Sequence, residues 1–527
     1  MRRAIAAGVM GGLVLGGTVA APAFAAALAA GSGPGFPAAT AARPAGPADP
    51  AGPAMRTVVY ARYAFQVPAS WPVYRLDEHP RTCVRYDVPA VYLGTPGVNM
   101  DCPAGILGRT QTVSFIPAGS AATGGGSARA GQPAQPAAAG IELKRLPAVR
   151  AAISQNTDQH VLEVTLGAAG AGGMVLGTYG ATPGVIEQVL STLHLAPAGA
   201  TQTVQTAQSV PVLPVLPARS APASPQTPAP SPAAHSAAAP AARPVPRPAV
   251  VPQRAAVPAR VRATRTLARH AAAAAKTYTS WRGVPSGWPT QIVQPPQPVT
   301  HPVGGFDACT APSLAAMRVW RRRFAAVGAY IGGVNAACAY GNLSASWIRS
   351  VAAMGWGVLP TYVGPQAPCW DGGNGVRIKP AKAAAQGSAA GRDAVSDARL
   401  FGLAPGSPIY YDLEAYVGGT TCKQAILAFL SAWDRTVADS GYLAAVYSSR
   451  DSGIANIEAW TAAHYPGFTP PGAIWVALWD GVASLAGDRL AWPLTERSKQ
   501  YSGNVTATVG GITLNIDKDI VGGPLAR

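Results

Sequence analysis

Eight short apolar segments between residues 301 and 527 constrain the fold more than any other feature of this sequence. They are "VGGFD" (303–307), "VGAYIGG" (327–333), "GVLPTYVG" (357–364), "PIYYDLE" (408–414), "YLAAVYSS" (442–449), "AIWVALW" (473–479), "SKQYS" (498–502) and "ITLNID" (512–517). Most are rich in β-branched or aromatic residues and each is short, while helical stretches such as 312–325 and 422–440 lie between them. Strands alternating with helices make parallel βα units. Eight of them in about 225 residues is the count and size of a (β/α)8 TIM barrel, giving an α/β fold class for residues 301–527. A doubly wound sheet is the alternative, but no Gly-rich phosphate fingerprint is present.

The 527 residues are enough for two or three cores, and uneven composition sets the boundaries. Residues 1–25 read as a signal peptide: "MRR" is a charged start, "AIAAGVMGGLVLGGTVA" a short apolar run and "AFA" a small-residue cleavage site. Arg2 and Arg3 leave both general and twin-arginine export open. The run is short for a membrane span and no later run resembles one, so the expectation is a secreted protein, extracellular or cell-wall associated, with no transmembrane segment after cleavage.

Residues 26–55 form a low-complexity tail, and 56–197 a small α+β domain. In that domain "TVVYARYAFQVP" and "VLEVTLG" are strand-like, and a Gly/Ala-rich loop spans 118–140. "TPGVIEQVLSTLHL" places Ile186, Val189, Leu190 and Leu193 on one helical face. No catalytic constellation falls there, so its expected role is binding or spacing.

Residues 198–300 are a Pro/Ala-rich basic linker. The net charge of +17 suggests a polyanionic partner, but ten of the cations, with no Asp or Glu, lie between 201 and 300. Such a segment cannot bury a core. It is either a solvated spacer or a tether to an anionic wall polymer by screened attraction. Export and the lack of a recognition motif argue against nucleic acid.

In a barrel the site lies at the C-terminal strand ends, and acids collect there. Asp307 closes the first strand, Asp412 and Glu414 the fourth, and Asp517 the eighth, while Asp480 follows the sixth. Residues i and i+2 share a strand face roughly 6.5–7 Å apart. Asp412 and Glu414 therefore face the axis, and Ile409, Tyr411 and Leu413 pack outward. Paired carboxylates suit glycoside hydrolysis, one as general acid and the other as nucleophile, base or electrostatic stabiliser. The bland alternative is an inert hydrogen-bonded network. Asp480, in a Trp-Asp-Gly turn, reads equally as a turn residue.

Tyr330, Tyr362, Gln366, Trp370, Tyr416, Trp475, Trp479, Gln500 and Tyr501 fall at or near the strand ends. Flat rings with a few amides suit a carbohydrate. Trp475, in mid-strand, reads as core, and Trp479, at the tip, as the better platform. No cofactor is implied. The six cysteines form three local pairs, Cys83 with Cys102, Cys309 with Cys338 and Cys369 with Cys422, without the spacing of a metal site. The last four follow the first four strands on one rim, well placed for two disulfides.

The segments "GFDACTAPSLAAMRVW", "YIGGVNAAC", "NLSASW", "GWGVLPTYVGPQAP", "IYYDLEAY", "GYLAAVYSS" and "IWVALWDG" resemble actinobacterial secreted glycoside hydrolase-like domains. Those are (β/α)8 barrels related to family 25 lysozymes, which cleave muramic acid linkages of peptidoglycan. "KQYSG…LNIDKD" is similar to the last two lysozyme strands, and "FQVPASWPVY…CVRYD…VYLG" to a module found beside this barrel. The resemblance implies a catalytic set of Asp307, Asp412, Glu414 and Asp517, with Glu414 as general acid and Asp412 as its partner. Tyr330, Tyr362, Gln366, Tyr416, Trp479, Asp480 and Gln500 are the candidate substrate-binding residues.

Two readings follow. The first is a hydrolase of peptidoglycan or another cell-envelope glycan. The second is a catalytically silent glycan-binding or envelope-organising protein. A polysaccharide deacetylase would need metal ligands in a pattern the sequence lacks.

Overall fold

The computed structural model describes residues 54–118, 150–167, 172–197, 301–487 and 490–526. The signal, nearly all of the tail and of the Gly/Ala loop, and the basic linker lie outside the described residues.

The N-terminal part is richer in β-structure than its sequence suggests. Strands β1 (Met55–Tyr60), β2 (Tyr63–Pro68) and β9 (His194–Leu195) form one sheet. A six-stranded sheet has the order β3 (Val73–Arg75), β4 (Ala90–Leu93), β5 (Thr112–Pro117), β8 (Gly173–Thr178), β7 (Val161–Gly167) and β6 (Arg150–Asn156). The helix read from periodicity is α1 (Gly184–Ser191), burying Ile186, Val189 and Leu190. It lies so close on β8 that a Cβ at Gly177 would come 2.3 Å from Ile186 Cγ2.

All eight apolar segments of the C-terminal part form strands. They are β10 (Val303–Asp307), β11 (Ala326–Gly332), β12 (Gly357–Tyr362), β13 (Pro408–Leu413), β14 (Leu443–Ser449), β15 (Ala473–Ala477), β16 (Arg497–Val509) and β17 (Ile512–Val521), closed into a barrel in that order. Helices α2 (Leu314–Trp320), α3 (Ala345–Ala353), α4 (Ala383–Leu400), α5 (Thr420–Asp439) and α6 (Ala455–Ala462) follow the first five strands. Ser313 and Ser344 start α2 and α3 by accepting the N–H groups of Ala316 and Trp347.

The barrel departs from the regular (β/α)8 pattern at its end. The strand β17 runs antiparallel to both neighbours, β16 and β10. The cause is local: Gly510 and Gly511, at φ +56° and +80°, turn the chain in two residues between Val509 and Ile512. Asp517 therefore lies within its strand rather than closing it, yet the reversal sets it beside Asp307 in register.

Side chains divide by face as strand alternation requires. On β13, Tyr411 packs outward on Phe429 and Trp433 of α5, while Tyr410 points inward to meet Trp475 at 5.9 Å between ring centres. The interior floor is Ala326, Leu359, Tyr410, Ala445, Ala473, Trp475, Val521 and Leu525. Three disulfides join Cys83–Cys102, Cys309–Cys338 and Cys369–Cys422.

The small β domain rests on the C-terminal rim of the barrel. The Tyr86 N–H donates to Ala337 O at 2.6 Å, Ala339 N–H to Val84 O at 3.0 Å and Gly108 N–H to Asn335 O at 3.0 Å. Arg109, 4% exposed, donates from Nη2 to Ala336 O at 2.8 Å. The Gln159 side chain bridges Gly333 N–H, at 3.1 Å, and Asp397 Oδ2, at 3.0 Å.

Helices α4 and α5 touch backbone to backbone, since a Cβ at Gly387 would fall 2.2 Å from Phe429 O. Gly387→Ala would gain about 1 kcal/mol from helix propensity alone. Here it should instead lower stability by roughly 1–3 kcal/mol through overpacking, read as a lower denaturant midpoint. A higher midpoint would contradict this packing.

Candidate active site

Four of the five acids named from sequence meet at the mouth: Asp307 on β10, Asp412 on β13, Glu414 just past β13, and Asp517 on β17. Asp307, Asp412 and Asp517 are almost fully buried, whereas Glu414 is half-buried. A fifth carboxyl sits one inward step deeper. Asp519 opposes Gly305 on β10 and accepts the Trp475 indole N–H at 3.1 Å. The sequence carried a signal for it: "DKD" repeats on β17 the i, i+2 spacing of "DLE" on β13.

Gln500 ties the acids together. Its Nε2 donates to Asp307 Oδ2 at 2.9 Å and to Asp517 Oδ2 at 3.3 Å. Its Oε1 accepts from Tyr447 Oη and from Trp479 Nε1, each at 2.8 Å. All four bonds an amide can make are thereby used. Tyr330 Oη donates to the other oxygen of Asp307 at 2.9 Å, and the Asn504 N–H donates to Asp517. Tyr447 faces inward at the Asp412 level of the ladder, a position the sequence reading did not single out.

The remaining candidates divide. Gln366, fully buried, holds the backbone around the acid pair: Nε2 donates to Asp412 O and Oε1 accepts the Glu414 N–H, each at 2.8 Å. Tyr416 is buried and accepts from Asn456 Nδ2 at 2.8 Å. Trp479 is 54% exposed, its ring lying over Gly503. Two candidates leave the mouth. Tyr362 turns to the helix layer, stacking on Trp433 and donating to Asp393 Oδ2 at 2.8 Å. Asp480 pairs with Lys499 Nζ at 2.7 Å and accepts the Val482 N–H, which makes it a turn residue.

Burial dominates the electrostatics. It pushes the Asp307 carboxyl up to about 6, although bonds from Gln500 and Tyr330 pull the other way. Burial and the nearby charge of Asp307 push Asp517 up to about 8. Asp412 is raised well above the carboxylate range by burial and then by the charge of Glu414. Its side chain is in hydrogen-bond contact with Glu414, so one of the two must keep a proton. The fully buried Asp412 is that group. Glu414 is pushed up to about 7 by burial, against a lowering by the Asp412 bond. Around neutral pH most of this cluster is uncharged, with Glu414 near its midpoint.

These shifts give a signed stability prediction. Each folded-state value lies above that of the unfolded chain, so the folded protein binds more protons. The stabilisation is full below about pH 4 and is lost as pH rises through about 6 to 8. Between pH 5 and 8 the Tm of the full chain should fall by about 5 °C or more, and Asp412→Asn should flatten the fall. A Tm that rises over this range would contradict the buried cluster.

Residues 318–521 match the family model described as the Rv2525c-like, glycoside hydrolase-like domain. No curated protein matches the sequence. Among solved structures, an uncharacterised B. stearothermophilus protein is 19% identical, covers 42% of this chain and 95% of its own, and superposes with a TM-score of 0.31. The Tat-secreted protein Rv2525c of Mycobacterium tuberculosis, in complex with L-tartrate, is 14% identical over 42% of this chain and 96% of its own, with a TM-score of 0.30. The modular autolysin LytC of Streptococcus pneumoniae is also 14% identical, over 42% of this chain and 46% of its own, with a TM-score of 0.28. Over residues 318–521 the chain is thus similar to the Rv2525c-like, glycoside hydrolase-like domain.

Proposed function

We propose that the protein is a secreted glycoside hydrolase acting on peptidoglycan or a related cell-envelope glycan, with Glu414 as general acid. The observation that carries this reading is the Asp412–Glu414 pair, in which burial raises the half-buried Glu414 to about 7. A carboxyl with that value is still largely protonated just below neutral pH and gives up its proton readily, which suits protonation of a glycosidic oxygen. The export signal and the lysozyme-like segments of the sequence favour peptidoglycan.

Contact between the two carboxyls shapes the mechanism. Retaining enzymes separate their pair by about 5–5.5 Å and inverting ones by more, so that a sugar fits between. Asp412 and Glu414, two residues apart on one strand face and in hydrogen-bond contact with each other, act instead as one acid unit. They act from one side of the bond: Asp412 keeps its proton and fixes Glu414, and Glu414 protonates the leaving oxygen. Positive charge growing at the anomeric carbon is then met by Asp307, which ionises at about 6 while Glu414 still holds its proton, or by the N-acetyl oxygen of the sugar itself. Gln500 and Tyr330 hold Asp307 in place for that role.

The full chain should release reducing ends from peptidoglycan, at a rate that falls as pH rises through about 7, where Glu414 loses its proton. Glu414→Gln should lower release by about 10²-fold or more while glycan binding persists. One observation favours a second reading, a silent glycan-binding protein: Gln500 is saturated by internal partners, as an inert network would be. Binding without release across a broad glycan panel would establish that reading and contradict the first.

A further inference from the structure

The small domain does more than sit beside the barrel. Its segments 83–87 and 97–109 lie along one side of the mouth, over the loops after β10, β11 and β12 and against β17. The Ala104 N–H donates to Asn515 Oδ1 at 2.7 Å, two residues before Asp517. Ser313 N–H donates to Asn99 Oδ1 at 3.2 Å, and Asn342 Nδ2 to Val98 O at 2.7 Å. Leu107 bridges to Ala336, and the Arg109 N–H donates to Asn374 O at 3.2 Å. The sulfurs of Cys83, Cys102 and Cys338 lie within 4.8 Å of one another, so the disulfide of the small domain abuts that of the rim.

At the centre of this contact Gly105, at φ +68°, reaches the acids. A Cβ there would stand 3.7 Å from Asp517 Oδ2. The crevice left between Gly105, Ile106, Tyr330 and Val363 has room for about one water, far less than a sugar ring. The opposite side is uncovered: Trp479 is 54% exposed, Val417 is 93% exposed, and Glu414 keeps part of its surface. The mouth is therefore walled over β10–β12 and β17 and open over β13–β16.

We infer that the small domain closes one end of the glycan site, so that the protein takes the terminus of a glycan chain, or a short oligosaccharide, and does not bind along the interior of a polymer. This rests on the glycan-hydrolase reading and names its substrate class. A sugar entering from the open side stacks on Trp479, reaches Glu414, and stops at Gly105 and Ile106. A groove open at both ends would instead add contacts with every further sugar.

A length series tests this without turnover. Binding of N-acetylglucosamine oligomers, from dimer to hexamer, is measured by calorimetry with the full chain. Trimer and hexamer should bind equally within about twofold. Replacing Pro103–Ile106 by two glycines, with melting checked for an intact fold, should let the hexamer bind about tenfold tighter than the trimer. On polymeric glycan the unaltered chain should release one short fragment while mean polymer length falls slowly. Affinity that climbs through the hexamer in the unaltered chain, or internal cleavage from the outset, would overturn the closed-end inference and leave the hydrolase reading standing. Failure to bind any oligomer would sink both.

Discussion

The pairing of β17 between β10 and β16 is the constraint on which the rest of the barrel depends. Without it the sheet would have two free edges, and the interior floor of Tyr410, Trp475 and Val521 would be open to water. The strand runs against its neighbours, so its own start lies at the mouth. That reversal brings Asp517 level with Asp307 and Asp519 level with Gly305. Closing the barrel and assembling the carboxyl cluster are thus one event.

Concentrating five carboxyls in a buried mouth has a definite physical outcome. Desolvation and mutual repulsion hold most of them neutral, and the donors available, mainly Gln500 and Tyr330, converge on Asp307. Asp412 has one oxygen without a partner, consistent with its role as a neutral, proton-bearing group. What distinguishes Glu414 is exposure. It stands at the boundary between this interior and the open mouth, where a proton can be exchanged with a ligand or with water.

Most of the barrel was legible in the sequence because a strand's period and its end residue are local properties. The segment "PIYYDLE" gave both the inward face and the acid pair, and the β13 side chains alternate as read. The direction of β17 is set by the two-residue hairpin within "VTATVGGITLNID". That signal lies beyond Ser502, where the apolar segment of the seventh strand ends, while β16 itself runs on to Val509. Tyr362 and Gln366 were read from their place near a strand end. Tyr362 stands three residues from Leu359 of the interior floor, so alternation turns it outward to Asp393. Gln366, beyond the strand, is fixed by its bond to the β13 backbone. The reach of Gly105 to Asp517 had no local signature at all, since the contact joins residues more than 400 positions apart.

The central claim is that this mouth holds a largely neutral carboxyl cluster in which Glu414 is the group that titrates near neutrality. Carboxyl-selective ¹³C NMR of the full chain, followed from pH 3 to 9 with Glu414→Gln for assignment, measures it directly. The account predicts one glutamate resonance with a midpoint near 7, together with an Asp412 signal that stays in its protonated position below that pH. If every Asp and Glu resonance titrates near 4, the cluster is hydrated and ionised, and the acid chemistry assigned to it is wrong.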